Sequence, residues 1–284
     1  MEHMRLGFHV SIEGGLDRAV DRALGLGCAT FQMFTRSPRM WKRSDIDEEA
    51  ASRFRSRLRE SGIGLVFVHM PYLPNLASPR EDVYAKSVES LVAEAGRCRL
   101  LGIPYLVTHL GSSLGTGYEE GSQRVVQALN EAAEVRGGPT ILLENTSGKR
   151  NEVGSTFQEI RDIIGGAGKM GLGVCLDICH AYARGYNVKT KNGLEATLRE
   201  FDHLIGLRNL RLVHLNDSVG ELGSRIDRHE HIGLGTIGEE GFRNILRSRL
   251  GEKPMVMETP VDNRRTDEAN MQKAIELADL HVHQ

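Results

Sequence analysis

Two histidines and two carboxylates stand within five residues in the stretch DRHEH, inside the longer run SRIDRHEHIGLGTIG. Histidine, aspartate and glutamate at this density are the donors that hold zinc, manganese or ferrous iron. Asp227 and His229 are separated by one residue, so an extended backbone points both side chains to one side. Further donors lie far upstream and downstream. His69, His109, Glu144, Asp177, His214 and Glu258 each fall at or near the end of a short apolar run, and His180 follows Asp177 by three positions. Carboxylates and imidazoles buried in runs such as LLENT and VHLND cost several kcal/mol unless something pairs with them, and coordination to a cation would remove that cost. Three protein ligands with open positions, as His180, Asp227 and His229 would supply, make a catalytic rather than a structural metal site. The other six donors are enough for a bridged pair of ions. Glu230 and His231 are left over and are expected to act as supports or loop caps.

The elements that position these donors alternate regularly. The expected strands are 6–10, 29–35, 64–70, 105–111, 140–146, 172–178, 210–217 and 254–260. Between them run amphipathic patterns such as VYAKSVESLVAEAGRCRLLG and SQRVVQALNEAAEV, and Gly27, Gly62 and Gly102 are placed to close helices. Eight strands alternating with helices imply a parallel sheet. In a chain of 284 residues they point to a closed (β/α)8 TIM barrel, a single domain spanning 1–284. The competing doubly wound sheet needs a GxGxxG turn after its first strand, and only SIEGG follows LGFHV. In a barrel all C-terminal strand ends open on one face, so donors remote in sequence meet there.

Composition narrows the class. Apolar residues make up 40% and charged residues 26%, no run approaches the roughly 20 apolar residues of a membrane span, and the start MEHMRLGFHV carries no signal-peptide pattern, so a cytoplasmic protein is expected. Cys28, Cys98, Cys175 and Cys179 are scattered and read as buried free thiols. A net charge of −2 argues mildly against a nucleic-acid partner, but three divalent ions would turn it into +4 and make the mouth attractive to a phosphodiester.

The stretches GFHVSIEGG, FTRSPRMW, HMPYLPNLAS, LLENTSG, VCLDICHAYARGYN, HLNDS, DRHEHIGLGTIG and METP together closely resemble the endonuclease IV family of apurinic/apyrimidinic (AP) endonucleases, over nearly the whole chain. The resemblance implies a monomeric barrel enzyme with three zinc ions, manganese being able to occupy some sites. It implies that His69, His109 and Glu144 bind the first ion. Glu144 bridges to a second, which also takes Asp177, His214 and Glu258, and His180, Asp227 and His229 bind the third. Glu144 and Glu258 thereby stand at the catalytic centre. The implied substrate is double-stranded DNA with abasic sites or blocked 3′ ends. It is cut 5′ to the lesion to leave a 3′-hydroxyl and a 5′-deoxyribose phosphate, and the same site trims 3′ ends. Arg39, Tyr72 and Leu73 match the family's DNA-inserting positions, and Arg36, Arg39, Lys42 and Arg43 form a basic cluster suited to phosphates. One departure stands out: THLGSS carries Leu110 where a proline is expected, which implies a looser loop after His109. Two other readings compete. A metal-dependent sugar isomerase or epimerase on a related barrel would need no third metal site, and a DNA-damage sensor without catalysis would need none of the nine ligands.

Overall fold

Each of the eight expected strands forms, and a computed structural model describing residues 4–42, 44–168 and 171–279 closes them into a parallel barrel. The barrel strands are β1 (Leu6–Val10), β2 (Thr30–Met33), β3 (Leu65–His69), β4 (Tyr105–Thr108), β5 (Thr140–Glu144), β6 (Leu172–Asp177), β7 (Leu210–His214) and, after a short antiparallel pair, β10 (Met255–Met257). They run in the order β1-β10-β7-β6-β5-β4-β3-β2, and β1 pairs with β2 to complete the ring. The strands expected at 105–111 and 254–260 end early, at Thr108 and Met257, and so does the seventh, at His214. Its end leaves the barrel after His214, and Asp217–Ser218 (β8) pairs instead with His229–Glu230 (β9).

Strand alternation builds the interior. Phe67, Val107, Leu142, Cys175, Leu212 and Val256 fill one buried layer inside the barrel. The residue two positions later, on the strand or, for β4 and β10, just past its end, lies one layer nearer the C-terminal mouth. Those residues are His69, His109, Glu144, Asp177, His214 and Glu258, and the same step on β1 and β2 leads from Gly7 to His9 and from Thr30 to Gln32. Gly7 admits no side chain, because a Cβ there would lie 1.6 Å from the Thr30 carbonyl oxygen of the neighbouring strand.

A second apolar layer packs the outer faces of the strands against helices. Helix α3 (Glu81–Leu101) and helix α4 (Tyr118–Ala133) cover the expected amphipathic segments. Gly62 and Gly102 end their helices in the left-handed conformation, at φ of 72° and 70°. All four cysteines are buried and unpaired. Among the described residues no helix is long and apolar enough to cross a membrane.

Candidate metal centre

The barrel mouth brings together nine expected donors in three groups. Ligand atoms of His69, His109 and Glu144 lie within 4.8 Å of one another, as do those of Asp177, His214 and Glu258, and those of His180, Asp227 and His229. Glu144 links the first two groups: its Oε2 is 2.9 Å from His69 Nε2 and 3.0 Å from His109 Nε2, while its Oε1 is 3.0 Å from His214 Nδ1. Helix α6 (Ile178–Arg184) joins the third group to the barrel. Asp177 ends β6 and also caps α6, its Oδ1 accepting the His180 N–H at 2.7 Å, so one residue both faces the mouth and sets His180 in the first helical turn.

Burial sharpens the electrostatics. Glu144, Asp177, His180 and His214 are almost wholly withdrawn from solvent. Burial raises the Glu144 carboxyl, but the facing His109 and His214 overcome it and hold the group well below the usual carboxylate range. Burial likewise disfavours a charged His180, yet Asp177, Asp227 and Glu144 push it well above the ordinary imidazole value. Asp227 resists its own burial through His180 and settles at about 2. Without a cation, the facing carboxylates favour protons on His109, His180 and His214. Metal binding would exchange those protons for ions.

The residues fit such ions. A metal-ligating histidine donates its outer N–H to a carbonyl or carboxylate, which fixes the ring and leaves the inner nitrogen's lone pair for the metal. His69 Nδ1 faces the Met70 carbonyl at 2.6 Å, His180 Nδ1 faces the Asn145 carbonyl at 2.9 Å, and His229 Nδ1 faces the Glu258 carbonyl at 3.2 Å. Carbonyls only accept, so each Nδ1 carries hydrogen and each Nε2 is the nitrogen turned toward the carboxylates of the mouth, His69 to Glu144 at 2.9 Å and His180 to Asp227 at 3.0 Å. His229 Nε2 has no hydrogen-bond partner, Asp177 Oδ2 standing 3.6 Å away. Among the described residues it shares that condition with only two other buried side-chain atoms, His9 Nε2 and Thr146 Oγ1. His9 is at the mouth end of β1, and Thr146 lines a cleft of about 220 Å³ with His69, His109, Tyr72 and Leu73. Orphaned polar atoms concentrated at one site mark a missing partner.

The loop bearing Asp227 and His229 is held by a residue outside the expected set. The Asp217 carboxylate accepts from the backbone N–H groups of Ser218, Gly233, Gly235, Ile237 and Gly238, at 2.8 to 3.3 Å. The glycine-rich tail IGLGTIG is thus wound around one carboxylate, and a Cβ at Gly235 would lie 2.4 Å from the Ser218 carbonyl oxygen. Glu230 and His231 act as supports. His231 Nε2 donates to Asp262 at 3.0 Å, its Nδ1 accepts from Asn270 at 2.9 Å, and Glu230 accepts from Arg264 at 2.7 Å. Asn145, Asn216, Gln32 and His9 carry no signal in the sequence that would mark them for this site. Asn216 donates to Asp177 at 2.9 Å, and its Oδ1 accepts the Glu258 N–H at 2.7 Å.

Two expectations need correction. Arg36 is not a phosphate contact. It is buried, with Nε donating to Glu94 at 2.7 Å and its remaining nitrogens donating to Ser90 at 2.5 Å and the Met40 carbonyl at 2.7 Å. Arg97 donates to Thr35, which in turn donates to Glu94, so two guanidiniums and one carboxylate of α3 clamp the base of the loop that carries Arg39. Arg39 and Lys42 are exposed, and Arg43 lies outside the described residues. Glu94→Gln is therefore expected to destabilise the protein by about 3–5 kcal/mol, since removing one partner leaves buried charge uncompensated. The midpoint of thermal unfolding should fall by about 6 °C or more; an unchanged midpoint would show that the clamp contributes nothing. Leu110, in turn, does not loosen its loop. It is fully buried against Gly154, and the residues after it are pinned by Asn75, whose side chain bonds both the N–H and the carbonyl of Ser112 at 2.9 Å. The Val153 N–H also donates to the Gly111 carbonyl at 2.8 Å.

Tyr72 and Leu73 follow β3 on the same face, are exposed to 62% and 38%, and line a cleft with His69 and His109. The Tyr72 N–H donates to the Pro38 carbonyl at 3.1 Å, which ties this loop to the one bearing Arg39.

Fold and donors together define a (β/α)8-barrel protein whose mouth is built to bind metal ions. Comparison with known proteins narrows this. Residues 20–280 match the family described as xylose isomerase-like TIM barrel. A protein named probable endonuclease 4 from Methanoculleus marisnigri is 54% identical over 277 residues, covering 96% of this chain and 98% of that protein. The crystal structure of endonuclease IV from Thermus thermophilus superposes with a TM-score of 0.86 at 37% identity, covering 96% of this chain and 98% of the other. A D-tagatose 3-epimerase-like protein superposes with a TM-score of 0.70 at 20% identity, covering 96% and 98%, a likeness of fold alone. The chain belongs to the endonuclease IV family.

Proposed function

We propose that this chain, a DNA-repair nuclease by family, hydrolyses the phosphodiester 5′ to an abasic site to leave a 3′-hydroxyl and a 5′-deoxyribose phosphate, and trims blocked 3′ ends at the same centre. The observation that carries the reading is the convergence of three donor groups, nine residues in all, on one barrel mouth. The chemistry supplied by zinc ions held there, or by manganese at some positions, is the activation of water near neutral pH and the neutralisation of charge on the phosphate.

The protein's own contribution is placement. His69 and His109 with Glu144 would hold one ion, Glu144 with Asp177, His214 and Glu258 the second, and His180, Asp227 and His229 the third. The Glu144 carboxylate, whose two oxygens face different groups, supports the bridging role. Glu258 stands across the mouth, its Oε2 3.5 Å from His214 Nδ1, and its backbone carbonyl fixes His229, so it couples the second group to the third. Tyr72 and Leu73 line a cleft with His69 and His109, and together with Arg39 they would meet a duplex laid over the mouth. An abasic nucleotide must leave the helix to reach the centre, and unstacking costs least where a base is already missing.

Elemental analysis of purified protein is expected to find three metal ions per chain, and incision of a duplex carrying one abasic-site analogue should stop with chelator and return with zinc. One ion or none, with no gain on reconstitution, would overturn the three-ion reading. A single ion with activity on ketoses and none on DNA would favour the epimerase reading, against which the third group counts most, since carbonyl isomerisation does not need it.

A further inference from the structure

His214 differs from His69, His180 and His229 in the way its ring is turned. His69, His180 and His229 each turn Nδ1 to a backbone carbonyl and leave Nε2 for a metal. His214 turns Nδ1 inward, 3.0 Å from Glu144, 3.5 Å from Glu258 and 3.7 Å from Asp177. Its outer nitrogen, Nε2, meets no carbonyl of the main chain. It meets Oε1 of Gln32 at 3.0 Å.

Gln32 is fully buried on β2, one barrel layer above Thr30. Its amide has one possible orientation. Nε2 is 2.8 Å from Glu258 Oε1, and a carboxylate only accepts, so the amide nitrogen must be on that side. The amide oxygen is then forced toward His214 and requires a hydrogen on Nε2. The same amide nitrogen lies 2.9 Å from His9 Nδ1, which is itself 3.2 Å from Glu258 Oε1, so the three groups form one cluster. One side chain thus sets the tautomer of His214 and steers one oxygen of Glu258.

We infer that Gln32 is a positioning residue for the second metal: by accepting from His214 Nε2 and donating to Glu258 Oε1 it makes His214 bind through Nδ1 and holds Glu258 in place. This rests on the metal-centre reading above. A backbone carbonyl cannot be mutated away, whereas this device hangs on one replaceable side chain, and outer partners of this kind typically change metal affinity about 10–100-fold when removed.

Two measurements test it, neither an activity assay. Long-range 15N–1H spectra of zinc-loaded protein labelled at histidine nitrogens should show His214 metallated at Nδ1 with hydrogen on Nε2, the reverse of His69, His180 and His229. His214 metallated at Nε2 would overturn the inference. Zinc competition against a chromophoric chelator should then show one ion per chain held about 10–100-fold more weakly in Gln32→Met, which keeps volume and loses both bonds. Gln32→Glu should keep the His214 tautomer, because its carboxylate still accepts from Nε2, yet weaken the same ion by repelling Glu258. That variant decides the question if Gln32→Met fails to fold. Equal affinity in folded variants and wild type would overturn this inference alone, whereas wild-type protein that takes up no zinc would overturn the metal reading and this inference with it.

Discussion

His229→Ala should lose about 100- to 1,000-fold in turnover on abasic DNA while its unfolding midpoint, measured without metal, stays close to wild type. The rate loss follows from removing one ion's several kcal/mol of charge stabilisation, each 1.4 kcal/mol being tenfold. The intact fold follows from packing. His229 lies in a two-residue strand beyond the barrel, partly exposed, its Nε2 without a hydrogen bond and 3.6 Å from Asp177 Oδ2, its Nδ1 making one bond to the Glu258 carbonyl. The loop around it hangs on Asp217, whose five backbone bonds do not involve His229. Zinc content should fall from three ions to two. Wild-type turnover would remove His229 from the third metal group, and a collapsed fold would show that the loop rather than the metal depends on it. His231→Ala, two residues along, tests the contrast. It should retain most activity and lose stability, because His231 is fully buried between Asp262 and Asn270 and touches none of the nine donors.

Six of the donors are legible because a barrel makes a period of two readable at the ends of six strands, and His180, Asp227 and His229 are legible from their spacing alone. A polar residue two places beyond an inward apolar residue is conspicuous when it is histidine, aspartate or glutamate. The same step on β1 and β2 is silent: an amide such as Gln32 is not a ligand type, and His9 is one histidine in an otherwise ordinary run. Their meaning lies in contacts to His214 and Glu258, which are 182 and 226 residues from Gln32. Arg36 misleads for a related reason. Among arginines and lysines after a strand it looks like a surface cation, and nothing local announces that Glu94, 58 residues on, reaches it inside the α3 packing layer. The LRLVHLND segment looks like one strand because apolar residues recur through Leu215, beyond the end of the barrel strand at His214. Where it leaves the barrel is set by β9, an element too short to carry a pattern. Side chains that answer to the backbone period can be read from sequence, and those that answer to a distant partner cannot.

Tyr72→Ala should weaken binding of duplex abasic DNA by about 5- to 150-fold and leave hydrolysis of a small phosphodiester unchanged. The magnitude is that of one aromatic stacking contact with a nucleic-acid base, about 1–3 kcal/mol. Position motivates the test. The ring stands 62% exposed three residues past His69, in a loop held between Pro71 and Pro74 and tied to the Arg39 loop through the Pro38 carbonyl. A loop restrained at both ends presents Tyr72 and Leu73 with little ordering cost on binding. The structure also offers the opposing explanation. Tyr72 meets Phe34 edge-on, with ring centroids 5.2 Å apart, and Phe34 meets His69 at 5.8 Å, so the tyrosine could act by steadying a metal ligand. The two accounts separate by substrate. Inserted into DNA, Tyr72 matters only when there is a stack to enter, and Tyr72→Phe should restore binding because the ring suffices. As a prop for His69 it matters equally for both substrates, and zinc affinity drops with activity. Loss on duplex alone supports insertion, equal loss on both overturns it in favour of the prop, and no loss on either reduces Tyr72 to a cover over the cleft.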